Sequence, residues 1–325
     1  MRNPLGLMAG LLLLSGPAVA ESTCPPLKMI ASVDLIPSAN QRHHYVEVQI
    51  AGQKKLMVLD LGAEVSMLSQ KAADDLDLKT HEANIQVYTV TGAATNRYTS
   101  ADVQLGRLHG DIKMMVAPVL DDLSDDPRIV GLLGADVLSN FDLSIDYGTR
   151  KLDLLDRNHC EGNILYWPAQ AVATVPFKIW HNTQIVFDVI LDGKPVKAIL
   201  DTGASNSTLK LDYAVRTFDI HPGDADTPVS GHLNERVDLI TYGHTFKTLD
   251  FNGIAVSNPK LELIPEKLSS KVGGPELGSH IRARDDAVDA PILLGMNVLK
   301  HLHIYIAYKE KKIYITPAGT PSASQ

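Results

Sequence analysis

At 325 residues, 45% of them hydrophobic, the chain is long for one globular domain and comfortable for two. Its formal net charge is −8 and no basic tract rises above the background. That balance argues against a nucleic-acid partner and against docking on an anionic membrane surface.

The first twenty residues stand apart from the rest. Arg2, the apolar run "LGLMAGLLLL" and the small residues "AVA" before Glu21 form the pattern of a secretory signal peptide over 1–20. Such a run is too short to span a bilayer, and no later stretch is long and apolar enough to do so. Cys24 follows "EST" rather than the apolar run, which argues against a lipoprotein anchor. The mature chain is expected to be periplasmic or secreted, with no membrane anchor after signal removal. The only two cysteines, Cys24 and Cys160, are expected to pair as one disulfide in an oxidising compartment. A clip over so long a loop stabilises by about 2–5 kcal/mol.

Past residue 40 the chain repeats itself. "VEVQIAGQKKLMVLDLGAEVSMLS" (46–69) aligns with "FDVILDGKPVKAILDTGASNSTLK" (187–210) at a constant offset of 141. Each block reads as an alternating strand, a turn, a second strand and an acid at its end, Asp60 or Asp201. A second pair, "LLGADVLSNFDLSIDYGTRKLDLLD" (132–156) and "LLGMNVLKHLHIYIAYKEKKIYITP" (293–317), aligns at an offset of 161. Each predicts an apolar pair, a glycine, a short helix at "ADVL" or "MNVL", and two strands joined by a turn. The difference between the offsets places an insertion in the second half, at 266–290. A period this long means a duplicated domain rather than a solenoid. The boundaries read as a first lobe over 21–160, a linker over 161–173 and a second lobe over 174–325, both lobes mostly β.

The doubled acid has a chemical consequence. Two carboxylates delivered to equivalent strand ends of a twofold-related pair would meet where the lobes meet. They cannot both ionise easily, so they share one proton. One then serves as general base on a trapped water while the other, protonated, polarises a carbonyl. That chemistry hydrolyses an amide without a metal and without a covalent intermediate.

"ILDTGAS" followed by "ILLGMNVL", with a first copy in "VLDLGAE" and "LLGADVL", resembles the retropepsin-like aspartic proteases, the superfamily of pepsin and the retroviral enzymes. The resemblance covers essentially the whole mature chain, once per half. It implies a mostly β fold of two tandem acid-protease lobes related by a pseudo-twofold. It also implies an endopeptidase acting on a peptide or protein substrate without a cofactor, as a monomer whose lobes form a pseudo-dimer. Carried over by position, Asp60 and Asp201 would be the catalytic dyad, Gly62 and Gly203 the turn glycines, and Thr202 half of an interlocking threonine pair. Asp136 and Asn297 occupy the polar position of the downstream motif. Flap hairpins would fall at 87–98 and 226–237, with Tyr88, Gly92 and Gly231 as substrate-side candidates.

Two departures bear on activity. Leu61 replaces the expected Thr or Ser, and Glu64 stands where the second half has Ser205. Either the brace is asymmetric, or the first lobe has lost catalytic competence and the chain is an inactive relative that binds peptides or proteins. Ala63 and Ala204 follow the retroviral pattern, so a mildly acidic rather than strongly acidic pH optimum is expected.

Other chemistries are poorly supported. The twelve histidines include no His-Glu-x-x-His, His43 and His44 are adjacent, and His301 and His303 alternate along a predicted strand. With two cysteines, no metal site is expected. No Gly-x-Ser-x-Gly elbow is present. "DDLSDD" (121–126) lacks the glycine and final glutamate of a calcium loop, and "VGGPELG" lacks the Lys-Ser/Thr of a phosphate loop. Tyr305, Tyr308 and Tyr314 alternate along predicted strands and read as residues that pack or line a surface.

Overall fold

The computed structural model describes residues 24–88, 94–121, 123–181, 183–232, 239–265 and 290–319. The two halves build the same sheet. In the first, the acid strand Gln53–Leu59 lies between its hairpin partner His44–Ile50 and the parallel strand Ile129–Leu133. In the second, Lys194–Leu200 lies between Gln184–Leu191 and the parallel Ile292–Leu294. The sheets continue in matching order through Met67–Ser69 and Leu108–Ala117 in one half, and Thr208–Lys210 and Lys260–Ile264 in the other. The acid strands are apolar because both faces are covered: Leu59 and Leu200 are each 1% exposed. Burying a leucine this fully contributes about 1.5–3 kcal/mol.

The halves are not merely joined by a linker; they share a sheet. Met29–Asp34, Lys151–Leu155 and Asp142–Asp146 continue through Leu302–Ala307, Lys312–Pro317 and Ala173–Trp180 in one six-strand run. At its centre Asp142–Asp146 pairs antiparallel with Leu302–Ala307, and Ser144 lies opposite Tyr305. These two residues are each other's counterparts in the repeat, 161 positions apart. The pseudo-twofold therefore passes between them.

Residues 156–172 carry no helix or strand and pack on this shared sheet. Ile164 is fully buried there, and the Trp167 ring lies 4.1 Å from that of His303, centroid to centroid. The Cys24–Cys160 disulfide closes the sheet's outer end, with Cα atoms 5.2 Å apart. Among the described residues, no helix is long and apolar enough to cross a membrane. Two details differ from the sequence reading. His301 precedes the strand that carries His303 instead of sharing it. Tyr308 lies in the turn after that strand, buried against Phe177. The insertion at 266–289 lies outside the described residues.

Candidate active site

The site is built by two strand ends. The Asp60 N–H donates to the Leu133 carbonyl at 3.0 Å, and the Asp201 N–H donates to the Leu294 carbonyl at 3.0 Å. After each acid the chain turns back and offers it two amides. Asp60 Oδ1 accepts from Gly62 N–H at 2.9 Å and Ala63 N–H at 3.0 Å. Asp201 Oδ1 accepts from Gly203 N–H at 2.9 Å and Ala204 N–H at 3.0 Å. One oxygen of each carboxyl is thereby fixed, and the other is left for its neighbour or a ligand.

The turn glycines cross over. A Cβ at Gly62 would overlap the carboxyl group of Asp201, and a Cβ at Gly203 would overlap that of Asp60. Each glycine is thus the wall against which the opposite half's acid rests, and no larger residue permits the approach. The two carboxyl groups lie within hydrogen-bonding reach of each other.

Beneath each acid loop lies a second matched support. Ser66 Oγ and N–H donate to Asp136 Oδ1 at 2.8 and 2.9 Å, and Gly134 N–H donates to Ser66 Oγ at 2.9 Å. In the other half Ser207 Oγ and N–H donate to Asn297 Oδ1 at 2.8 and 2.7 Å, and Gly295 N–H donates to Ser207 Oγ at 3.0 Å. Asp and Asn interchange here because each uses one side-chain oxygen as an acceptor for the serine. Both serines are fully buried, so these bonds satisfy groups that would otherwise be costly to bury. The sequence reading missed Ser66 and Ser207, although their 141-residue spacing was the available signal.

Among the described residues, one threonine hydroxyl braces the two acid loops. Thr202 Oγ1 accepts from Leu61 N–H at 2.9 Å and donates to the Leu59 carbonyl at 2.8 Å. Leu61 is 1% exposed and packs into the core. The asymmetric brace is therefore the arrangement this fold adopts.

Burial raises Asp201, the Asp60 charge adds to it, and the carboxyl is pushed up to about 7 against the amides of Gly203 and Ala204. Burial raises Asp60 as well, opposed by its own two amides and by the hydrogen bond from Asp201. Both carboxyls are raised, and they titrate as a couple rather than as independent groups. Tyr147, close enough to feel the charge of Asp201, is buried, its hydroxyl without a partner among the described residues. Burial and then the charge of Asp201 keep that phenol protonated.

The hairpins expected as flaps are present, with unequal detail. His81–Tyr88 pairs with Ala94–Leu105, Tyr88 opposite Ala94. The Tyr88 side chain and Gly92 lie outside what is described. Val229–His232 pairs with Ile240–Thr245, and Gly231 sits within that strand, beside a register shift and opposite Thr241. Gly231 is thus a strand residue of that hairpin. Glu64 lies on the Asp60 loop with its residue surface largely exposed, and partial desolvation raises its carboxyl against the nearby His181. His43, treated above only as a poor metal ligand, reaches the Asp201 loop: Ser205 Oγ lies 3.1 Å from its Nε2.

Two equivalent half-sites, each an acid on a strand end with the other's glycine against it, define a bilobal acid-protease architecture. An aspartyl protease family model matches the chain twice, over residues 46–137 and 187–298. Together the matches cover more than half of the sequence, and the chain belongs to the aspartyl protease family. Among solved structures it is similar to basic 7S globulin from soybean, with a TM-score of 0.51 and 8% identity. That match covers 91% of this chain and 98% of the globulin chain. At such identity the likeness speaks to the fold alone. No curated protein matches the chain.

Proposed function

We propose that the protein is an exported aspartic endopeptidase whose dyad is Asp60 and Asp201. The observation that carries this reading is the crossed packing of Gly62 on Asp201 and Gly203 on Asp60, which holds two carboxyls together, each with one oxygen fixed by its own loop amides. The shared proton rests on Asp201, the carboxyl raised to about 7. Asp60, ionised, takes a proton from a water bound between the pair as that water attacks the peptide carbonyl. Asp201 gives its proton to the carbonyl oxygen, forming a neutral tetrahedral diol. Collapse of the diol returns a proton to Asp201 while Asp60 protonates the departing nitrogen.

An extended peptide would bind by strand-like main-chain hydrogen bonds beneath the two hairpins. The Cys24–Cys160 disulfide supports an oxidising, hence extracytoplasmic, location. One chain supplies both acids, which supports a monomer.

The test is cleavage of a mixed peptide library by the mature chain and by Asp201→Asn. The variant is expected to lose activity by at least about 10²–10⁴-fold, the contribution of general acid–base catalysis. Full retained cleavage would remove the proposal.

A further inference from the structure

The single hydroxyl brace leaves a question. Thr202 ties down the Asp60 loop, but Leu61 offers no hydroxyl with which to tie down the Asp201 loop. A different residue of the first half occupies that role. His43, just before the strand His44–Ile50, reaches across to the second half. Its Nε2 lies 3.1 Å from Ser205 Oγ. Its Nδ1 is buried without a partner among the described residues, so the ring is anchored through Nε2. Burial, reinforced by the charge of Arg42, holds His43 below the ordinary histidine value despite the Gly203 carbonyl.

We infer that His43 is a positioning residue for Asp201, tying the Gly203–Ser205 loop from the opposite half in place of the hydroxyl that Leu61 lacks. This inference rests on the proposed peptidase reading. Gly203 is where such a tie acts on both acids. Its N–H holds Asp201 Oδ1 at 2.9 Å, and its Cα packs on the Asp60 carboxyl. A small displacement of this loop therefore disturbs the spacing of the whole couple.

The repeat shows that the tie is particular to this side. The counterparts of His43 and Ser205 at the 141-residue offset are Gln184 and Glu64. Gln184 Oε1 is buried without a partner among the described residues, and Glu64 is exposed. Each acid loop thus receives one cross-half tie of its own kind: Thr202 holds the loop of Asp60, and His43 holds the loop of Asp201.

The experiment is steady-state peptide cleavage by the full mature chain and by His43→Ala, His43→Gln and Ser205→Ala. Glutamine places an amide N–H near the position of Nε2 and does not titrate. His43→Ala is expected to lower kcat by roughly ten- to a hundredfold, the scale of a sub-ångström to ångström misplacement of a reacting group, with KM little changed. His43→Gln is expected to recover most of that loss. Unchanged kcat in His43→Ala, or no recovery in His43→Gln, overturns the inference. If the wild-type chain cleaves no peptide at any pH, the peptidase reading fails by itself. The tie is then judged by urea unfolding of His43→Ala, Ser205→Ala and the double variant, where non-additive losses support it and strictly additive losses overturn it.

Discussion

The hydroxyl of Thr202 sits between two backbone groups of the opposite half, the Leu61 N–H at 2.9 Å and the Leu59 carbonyl at 2.8 Å, and Leu61 returns nothing. Thr202 is itself 1% exposed, so water cannot replace what it supplies. Thr202→Val keeps the shape and removes the hydroxyl, leaving a buried donor and acceptor unpaired. Each such group costs about 1–3 kcal/mol. Urea unfolding should show a loss of that order, with a matching fall in peptide cleavage. Wild-type stability in Thr202→Val would mean that the brace carries no weight.

The dyad should leave two signatures in pH. A reaction that needs one proton on the couple slows as pH rises through the value near 7 to which burial and Asp60 push Asp201. The basic limb of kcat/KM is expected near neutrality, and the optimum in the mildly acidic range.

The same shift bears on stability. The folded value lies above the unfolded one of 3.8, so this contribution is fully present below 3.8 and is lost as pH climbs through about 7. Asp201→Asn removes the cost of ionising a buried group. Calorimetry should find the variant more stable than wild type at pH 8 and not at pH 4. At roughly 2–4 °C per kcal/mol for a chain of this size, the difference is measurable. An Asn variant less stable at both pH values would contradict the assignment.

The disulfide spans 136 positions and pins the N-terminal strand and the connecting segment to the shared sheet. Reduction, or Cys24→Ser with Cys160→Ser, is expected to cost about 2–5 kcal/mol. Thermal unfolding with and without reductant would show it. An unchanged melting temperature would mean that the shared sheet holds this end unaided.

The repeat made much of this molecule legible in advance. Constant offsets of 141 and 161 placed Asp60, Asp201, both turn glycines and the Asp136 and Asn297 positions, because a duplicated strand-turn motif carries its chemistry in local order. Hairpin turns and the short helices at 135–138 and 296–299 were readable for the same reason. The shared central sheet was not. The strands Asp142–Asp146 and Leu302–Ala307 were visible as strands, but their pairing is a contact between halves that neither repeat encodes alone. His43 escaped for a sharper reason. Its partner Ser205 lies 162 positions away, and its counterpart in the repeat is a glutamine, so no internal copy drew attention to it.

The account stands or falls on the first half contributing a working acid despite Leu61. The most direct measurement is peptide cleavage by Asp60→Asn beside wild type, each checked for folding by thermal melting. The account predicts a folded variant with no detectable turnover. A folded Asp60→Asn chain that still cleaves peptide at the wild-type rate would contradict it.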